Sequence, residues 1–208
     1  VLDQNETALF YLQQHLKDFP CIRYFVGDIR NKEKVMWATK GVDIIIHCAA
    51  LKHVPSCEYN APEAIETNVL GLSNVINAAK EQRIDKCIYI STDKAVNAHN
   101  TMGITKLLGE RLMINASMGE TTTKFSTVRF GNVLNSNGSV IPLWKKQIKS
   151  GGPITITDPE MNRFFMTLKD AVNLVLDLTA KTKGKETYIL KMKALKIKDL
   201  AQVLINEL

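Results

Sequence analysis

The stretch Val42-Asp43-Ile44-Ile45-Ile46-His47-Cys48 decides the fold. It has the length of a strand, is rich in β-branched residues, and carries apolar side chains on both faces. Such a strand is expected where helices cover a sheet on both sides, as in parallel α/β sheets. Working outward, β-branched runs at 22–26, 87–91 and 125–130 alternate with helix-period segments at 7–17, 31–40, 62–82 and 102–118. That alternation predicts βαβ units and a doubly wound parallel α/β sheet. Asn31, after the Gly27-Asp28 turn, is a natural helix N-cap. Pro62 suits a first helical turn, and Gly71, Ser73, Ala78 and Ala79 allow that helix to pack closely.

Beyond Phe130 the texture changes. Residues 132–138 are polar and rich in Gly and Asn, which predicts a loop. A short helix over 140–149 ends at Gly151-Gly152-Pro153. A strand is expected over 154–157, an amphipathic helix over 168–180, a strand over 186–190 and a helix over 197–208. The expected division is a dinucleotide-binding core over 1–131 and, over 132–208, a mixed segment with substrate-binding loops and a partial C-terminal subdomain.

Composition narrows the function classes. The 208 residues are 45% hydrophobic and 23% charged, which excludes disordered, collagen-like and low-complexity chains. The net charge is 27 − 21 = +6, but the Lys and Arg residues are scattered, without the clustered footprint that nucleic acid requires. The longest apolar stretch, around His47, falls short of the ~20 residues that span a bilayer, so no membrane contact is expected within this chain. Cys21, Cys48 and Cys87 lie in or beside apolar runs and are expected to be buried thiols, which fits a reducing, cytoplasmic compartment. No metal is expected, because His47 and Cys48 point to opposite faces of a strand and no further ligands converge on them.

The sequence opens on Val1-Leu2-Asp3, which reads as the end of the second strand of a nucleotide-binding sheet, and it contains no G-x-G-x-x-G loop. The first strand of such a sheet lies between the second and the fourth. The expectation is therefore a core without its first strand and Gly-rich loop, belonging to a longer polypeptide, either soluble or the cytosolic part of a membrane-anchored parent.

Candidate site residues fall at strand ends and helix starts. Asp3 is placed to accept hydrogen bonds from an adenosine ribose, or is simply an exposed turn residue; an acid there favours NAD over NADP. Asp28 follows the third strand and either caps an adenine or makes a turn. Ser91-Thr92-Asp93-Lys94 ends a strand, where ligands of open α/β sheets sit. Its Asp-Lys pair is either an acid and a base or a solvated ion pair. Met102 and Lys106 share one face of a helix, one turn apart.

Taken together, these positions resemble the extended short-chain dehydrogenase/reductase superfamily, and within it the UDP-N-acetylglucosamine 4,6-dehydratase group. The resemblance rests on His47-Cys48-Ala49-Ala50-Leu51-Lys52-His53-Val54-Pro55, Glu66-Thr67-Asn68-Val69-Leu70-Gly71, Ser91-Thr92-Asp93-Lys94-Ala95, Gly103-Ile104-Thr105-Lys106, Arg129-Phe130-Gly131-Asn132-Val133 and 161–167, and it covers nearly the whole chain. It implies a Rossmann-type fold, a homo-oligomer, NAD (or NADP) as cofactor and UDP-N-acetylglucosamine or a related UDP-sugar as substrate. The implied reaction is internal: hydride leaves C4, the C5 proton is removed, water leaves from C6, and the hydride returns at C6.

The resemblance also implies roles. Lys94 removes the C5 proton, Asp93 protonates the leaving C6 hydroxyl, Thr92 lies near the C4 oxygen and Lys106 holds the nicotinamide ribose. Asp3, Asp28, Ile29, Cys48, Ala49, Ala50, Asn68, Ile90, Ser91 and Val133 surround the cofactor. Lys52, Asn132, Asn137, Gly138, Ser139, Val140 and Arg163 contact the UDP-sugar. One position departs from the superfamily pattern: the Tyr of Y-x-x-x-K is Met102, whose thioether cannot exchange a proton. An epimerase or reductase of the same fold, and a non-catalytic nucleotide-sugar-binding module, are the alternative readings.

Overall fold

Asparagines start three of the helices. Asn5, Asn31 and Asn100 sit in extended backbone and accept the N–H of Ala8, Lys34 and Gly103, satisfying donors that a helix start leaves unpaired. The computed structural model describes every residue except Glu120, Asn137 and Leu208. In chain order the elements are β1 (Leu2–Asp3), α1 (Glu6–His15), β2 (Phe25–Val26), α2 (Lys32–Ala38), β3 (Ile44–His47), α3 (Val54–Tyr59), α4 (Ala61–Ile65), a π-helical turn (Glu66–Gly71), α5 (Leu72–Glu81), β4 (Lys86–Thr92), a 3-10 turn (Asp93–Ala95), α6 (Thr101–Ala116), β5 (Lys124–Phe130), β6 (Asn132–Val133), α7 (Val140–Lys149), β7 (Asn162–Met166), α8 (Leu168–Lys181), β8 (Thr187–Ile189), β9 (Lys193–Lys196) and α9 (Ile197–Glu207).

The chain divides into two compact units. One comprises Val1–Val128 with Thr182–Thr187, the other Arg129–Lys181 with Tyr188–Leu208. In the first, β1 pairs with β2 in parallel, and a separate sheet holds β3, β4 and β5 in that order. β3 and β4 are parallel, with Ile44 opposite Lys86 and His47 opposite Tyr89. A cleft of about 880 Å³ is lined by Leu2, Asp3 and Phe25 on one side and by Ile45, Ile46 and His47 on the other. This is the α/β architecture expected of a doubly wound sheet that lacks its first strand. The core beneath it holds Leu72, Val75, Ile76, Ile84, Cys87, Tyr89, Met113 and Phe125.

In the second unit β7 pairs in parallel with β6 and antiparallel with β9. α7 and α9 close over Trp144, Ile197, Ala201 and Leu204.

Several expectations fail for local reasons. Ile44 and Ile46 are exposed, so β3 is not covered on both faces. Cys21 and Cys48 are exposed too; the buried thiols are Cys57 and Cys87. The helix expected over 62–82 is interrupted by the π turn. No strand forms over 154–157, because side chains take up its backbone groups: Trp144 Nε1 donates to the Thr155 carbonyl at 2.8 Å, and the Thr155 N–H donates to Gln147 Oε1 at 3.1 Å. The loop expected over 132–138 begins with the short strand β6, and β7 and β9 lie where no strand is predicted.

Candidate active site

The carboxyl end of β4 carries a polar cluster. Thr92 Oγ1 donates to Asp93 Oδ1 at 2.9 Å, and Lys94 Nζ donates to the same oxygen at 3.0 Å. Lys94 is 34% and Asp93 20% exposed at the side chain, so the cluster is reachable from solvent yet partly sheltered. The 3-10 turn makes this possible, since the Thr92 side chain caps the Lys94 N–H and turns the chain back immediately after the strand.

α6 packs directly behind. Gly103 lies so close to the turn that a Cβ there would come within 2.5 Å of the Lys94 carbonyl oxygen and 3.3 Å of Ala98 Cβ. Because the Lys94 contact is with backbone, Gly103→Ala is expected to displace the turn. Destabilisation of about 1–3 kcal/mol is expected, and a lowered thermal melting midpoint checks it.

Lys106, 7% exposed, reaches from α6 to the end of β4 and donates to the Ile90 carbonyl at 2.7 Å. Its ammonium lies 4.7 Å from the centre of the Tyr89 ring. Burial lowers its pKa to about 8, opposed by the charges of Cys48 and Glu110. Ile90 thus acts through its backbone, and Ser91 beside it is buried. Met102 does not join this cluster; it packs with Cys57 and Ala64 in a small apolar core, so it serves packing where the superfamily pattern has an acid–base tyrosine.

Asn68 is buried in the π turn and ties three elements together. Its Oδ1 accepts the Leu51 N–H at 2.8 Å, and its Nδ2 donates to the Leu51 carbonyl and to Thr105 Oγ1, both at 3.0 Å. The turn's extra residue turns this amide toward the segment after β3, and that segment leads into Lys52.

Asp3, Asp28, Ile29, Cys48, Ala49 and Ala50 come together around one cavity of about 240 Å³, with Gly27, Leu51 and Thr67. Asp3 accepts the Asn5 N–H at 2.8 Å. Asp28 accepts both the N–H and Nε of Arg30, and that guanidinium holds its carboxyl below the usual range. Asn74 donates to the Ile29 and Arg30 carbonyls at 3.0 Å, which fixes the loop after β2.

In the second unit Asn132, Val133, Ser139, Val140 and Arg163 line a cavity of about 230 Å³ with Trp144 and Phe165. Asn132 Nδ2 donates to the Phe164 carbonyl at 2.9 Å. The Ser139 hydroxyl is buried with no hydrogen-bond partner among the described residues. Gly138 precedes it at φ +66°. Asn137 lies outside the described residues.

Sequence reasoning missed five polar residues of the first unit. Glu58 accepts both the N–H and the hydroxyl of Thr101 and so caps α6. Glu110 is buried against Ser91. Asn74 and the Arg30–Glu63 pair hold the loop after β2. Of these only Glu110 has a sequence signal, since it stands four residues after Lys106 on one helix face.

A family model described as "Polysaccharide biosynthesis protein" matches residues 1–208. The chain belongs to that family. Among this family's relatives, the "Uncharacterized membrane protein MJ1061" of Methanocaldococcus jannaschii is 55% identical over 100% of this chain and 63% of its own length. A "UDP-N-acetylglucosamine 4,6-dehydratase (inverting)" of Campylobacter jejuni is 44% identical over 96% of this chain and 63% of its own. A "UDP-glucose 4-epimerase" of Rickettsia akari is 45% identical over 89% and 55%. The chain thus spans less than two thirds of the length of these relatives. The solved structure of Pen from Bacillus thuringiensis superposes with a TM-score of 0.97 at 45% identity, covering 100% of this chain and 66% of Pen. DesIV, a dTDP-glucose 4,6-dehydratase from Streptomyces venezuelae solved with NAD, shares the fold at 20% identity and a TM-score of 0.90, over 99% of this chain and 70% of its own. Among the described residues no helix is long and apolar enough to cross a membrane.

Proposed function

We propose that this polysaccharide biosynthesis family member is a nucleotide-sugar 4,6-dehydratase acting on UDP-N-acetylglucosamine or a close UDP-sugar. One observation carries the reading: Thr92 and Lys94 both donate to one carboxylate oxygen of Asp93 at a strand end, next to the helix that delivers Lys106. An acid and a base in hydrogen-bond contact are what removal of a proton from one carbon and delivery of another to the hydroxyl oxygen of the next carbon require.

The donor set fits a dinucleotide. Asp3 and Asp28, both acceptors, face a cavity otherwise walled by small residues such as Gly27, Ala49 and Ala50, and the Asp3 carboxylate favours a free ribose hydroxyl over a phosphate. Asp3, Asp28, Ile29, Cys48, Ala49, Ala50 and Lys106 would hold NAD. Bound there, NAD supplies reversible hydride storage, out at C4 and back at C6.

The remaining work falls to the chain. Thr92, already donating to Asp93, offers a proton path from the C4 hydroxyl that the buried Met102 thioether cannot provide. With C4 a ketone, the C5–H is acidic, and Lys94 Nζ takes that proton. Asp93, charged through Thr92, gives its proton to the C6 hydroxyl, which leaves as water, and Lys94 returns its proton to C5 once C6 is reduced, so both side chains regain their starting state. Lys52, on the segment held by Asn68, is assigned to the UDP-sugar, its charge answering the diphosphate.

A 4-epimerase is the second reading, supported by the Rickettsia relative's name. Incubating the full-length protein with NAD and UDP-N-acetylglucosamine separates the two. A product lighter by one water, with a carbonyl absorbance in alkali, is the expected result. An isomer of unchanged mass would make the protein an epimerase, and binding of both ligands without conversion would make it a binding module.

A further inference from the structure

We propose that Glu110 is a positioning residue of this site, tying α6 to the end of β4 through Ser91 and setting the electrostatic environment of Lys106. The inference rests on the reading of Lys106 as the cofactor-holding lysine. The geometry begins with Ser91, which is 3% exposed and donates to Glu110 Oε1 at 2.6 Å. Glu110 is itself 3% exposed, and a carboxylate taken so far from water must be held by hydrogen bonds and opposite charge. The opposite charge is one helical turn away: Lys106, four residues earlier on α6, is anchored to the carbonyl of Ile90, the residue next to Ser91. Glu110 and Lys106 therefore grip adjacent residues of β4 from successive turns of one helix. The strand they grip is the one that ends in Thr92 and leads into Asp93 and Lys94.

Among the described residues, the groups that act on the Lys106 ammonium are His47 at the end of β3, Cys48 just after it, Tyr89 from β4 and Glu110 from α6 itself. The His47 ring stacks on Tyr89, their centres 5.9 Å apart, and is held neutral by burial. Tyr89 presents its ring face to the ammonium, and its hydroxyl is also buried. Gly109 leaves the space for this, since a Cβ there would collide with Tyr89 Oη. Burial in this pocket acts against the Lys106 charge, while Glu110 favours it. Near neutral pH that balance decides whether Lys106 is an ammonium with protons to donate or an amine.

The substitutions Glu110→Gln, Glu110→Asp and Ser91→Ala separate the two parts of the role. Gln retains an acceptor for Ser91 but removes the charge, Asp retains the charge, and Ser91→Ala breaks the tie while leaving the carboxylate. The readout is the titration of Lys106 Nζ, followed by NMR of 13C,15N-lysine-labelled full-length protein and assigned with Lys106→Arg. It needs no turnover and no sugar nucleotide. Glu110→Gln is expected to move the Lys106 midpoint down by about one unit, and Glu110→Asp to leave it closer to the parent value. Ser91→Ala should leave the midpoint in place while lowering the melting temperature. NAD affinity followed across the same pH range should lose its alkaline limb earlier in Glu110→Gln. Equal Lys106 midpoints in the parent and Glu110→Gln would overturn the proposal. Absence of NAD binding in the parent, with the midpoint still shifted in Glu110→Gln, would instead overturn the cofactor reading and leave the Glu110–Lys106 coupling standing.

Discussion

Lys94→Ala and Asp93→Asn are each expected to lower kcat for sugar-nucleotide dehydration by roughly 10²- to 10⁴-fold, the range that a positioned acid or base contributes. Both side chains are partly exposed and sit on a short turn. Removing either amine or carboxylate therefore leaves no buried charge unpaired, and stability should change by only about 0.5 kcal/mol. The two substitutions should differ in what they spare. Lys94→Ala leaves the Thr92–Asp93 hydrogen bond intact, so oxidation at C4 can still proceed, and a single-turnover experiment should show reduced cofactor accumulating at 340 nm without loss of water. Asp93→Asn removes the carboxylate that receives the Thr92 hydroxyl and should suppress that absorbance as well. Full turnover in both variants would remove the cluster at the end of β4 from the mechanism.

The second large effect concerns stability and pH. His47 is buried against Tyr89 with its Nε2 unpartnered among the described residues, and burial, with a smaller contribution from the Lys106 charge, lowers its pKa from 6.5 to about 3. Between those values the unfolded chain holds a proton that the folded chain excludes. The stability that comes from keeping His47 neutral is complete above about pH 6.5 and declines as the pH falls toward 3, by roughly 1.4 kcal/mol per pH unit. A His47→Phe variant keeps the stacking on Tyr89 and has nothing to titrate. Its stability should fall less steeply than the parent's in denaturant unfolding between pH 6 and 4, and the gap between the two curves should widen by about 1–3 kcal/mol over that interval. Parallel curves would mean that His47 is accessible to protons in the folded state.

The sequence made some of this legible and hid the rest for identifiable reasons. The first-unit strands could be read because runs such as 87–91 are continuous and apolar, and α6 because its helical period runs unbroken over 102–118. The cavity around Asp3, Asp28 and Ala49-Ala50 could be read because parallel sheets bring their strand ends together whatever the intervening chain does. Other features depend on contacts between residues far apart in sequence. Glu110 looks like any charge on an amphipathic helix until Ser91 is placed against it. β9 carries exposed Lys193 and Lys196 at its ends, so it reads as a polar segment, and only its register against β7 makes it a strand. Residues 154–157 have the alternation of a strand, but Trp144 and Gln147 claim their backbone groups first. Met102 was legible only as a departure from a pattern; its packing with Cys57 and Ala64 shows what the position does instead.

The π turn at Glu66–Gly71 has a consequence for how this helix tolerates changes in length. A helix with one surplus residue per turn is wound so that residues on either side keep their original facing, much as a leap day keeps a calendar in phase. α5 can therefore hold Leu72, Val75, Ile76 and Ala79 inward while Asn68 looks toward a different neighbour. Excising a single residue from 66–71 would relax the backbone into a regular spiral with α4 and α5 still in phase, and only the residues of the turn itself, Asn68 among them, would lose their present facing. The surplus residue thus gives one buried amide a direction of its own within a continuous rod.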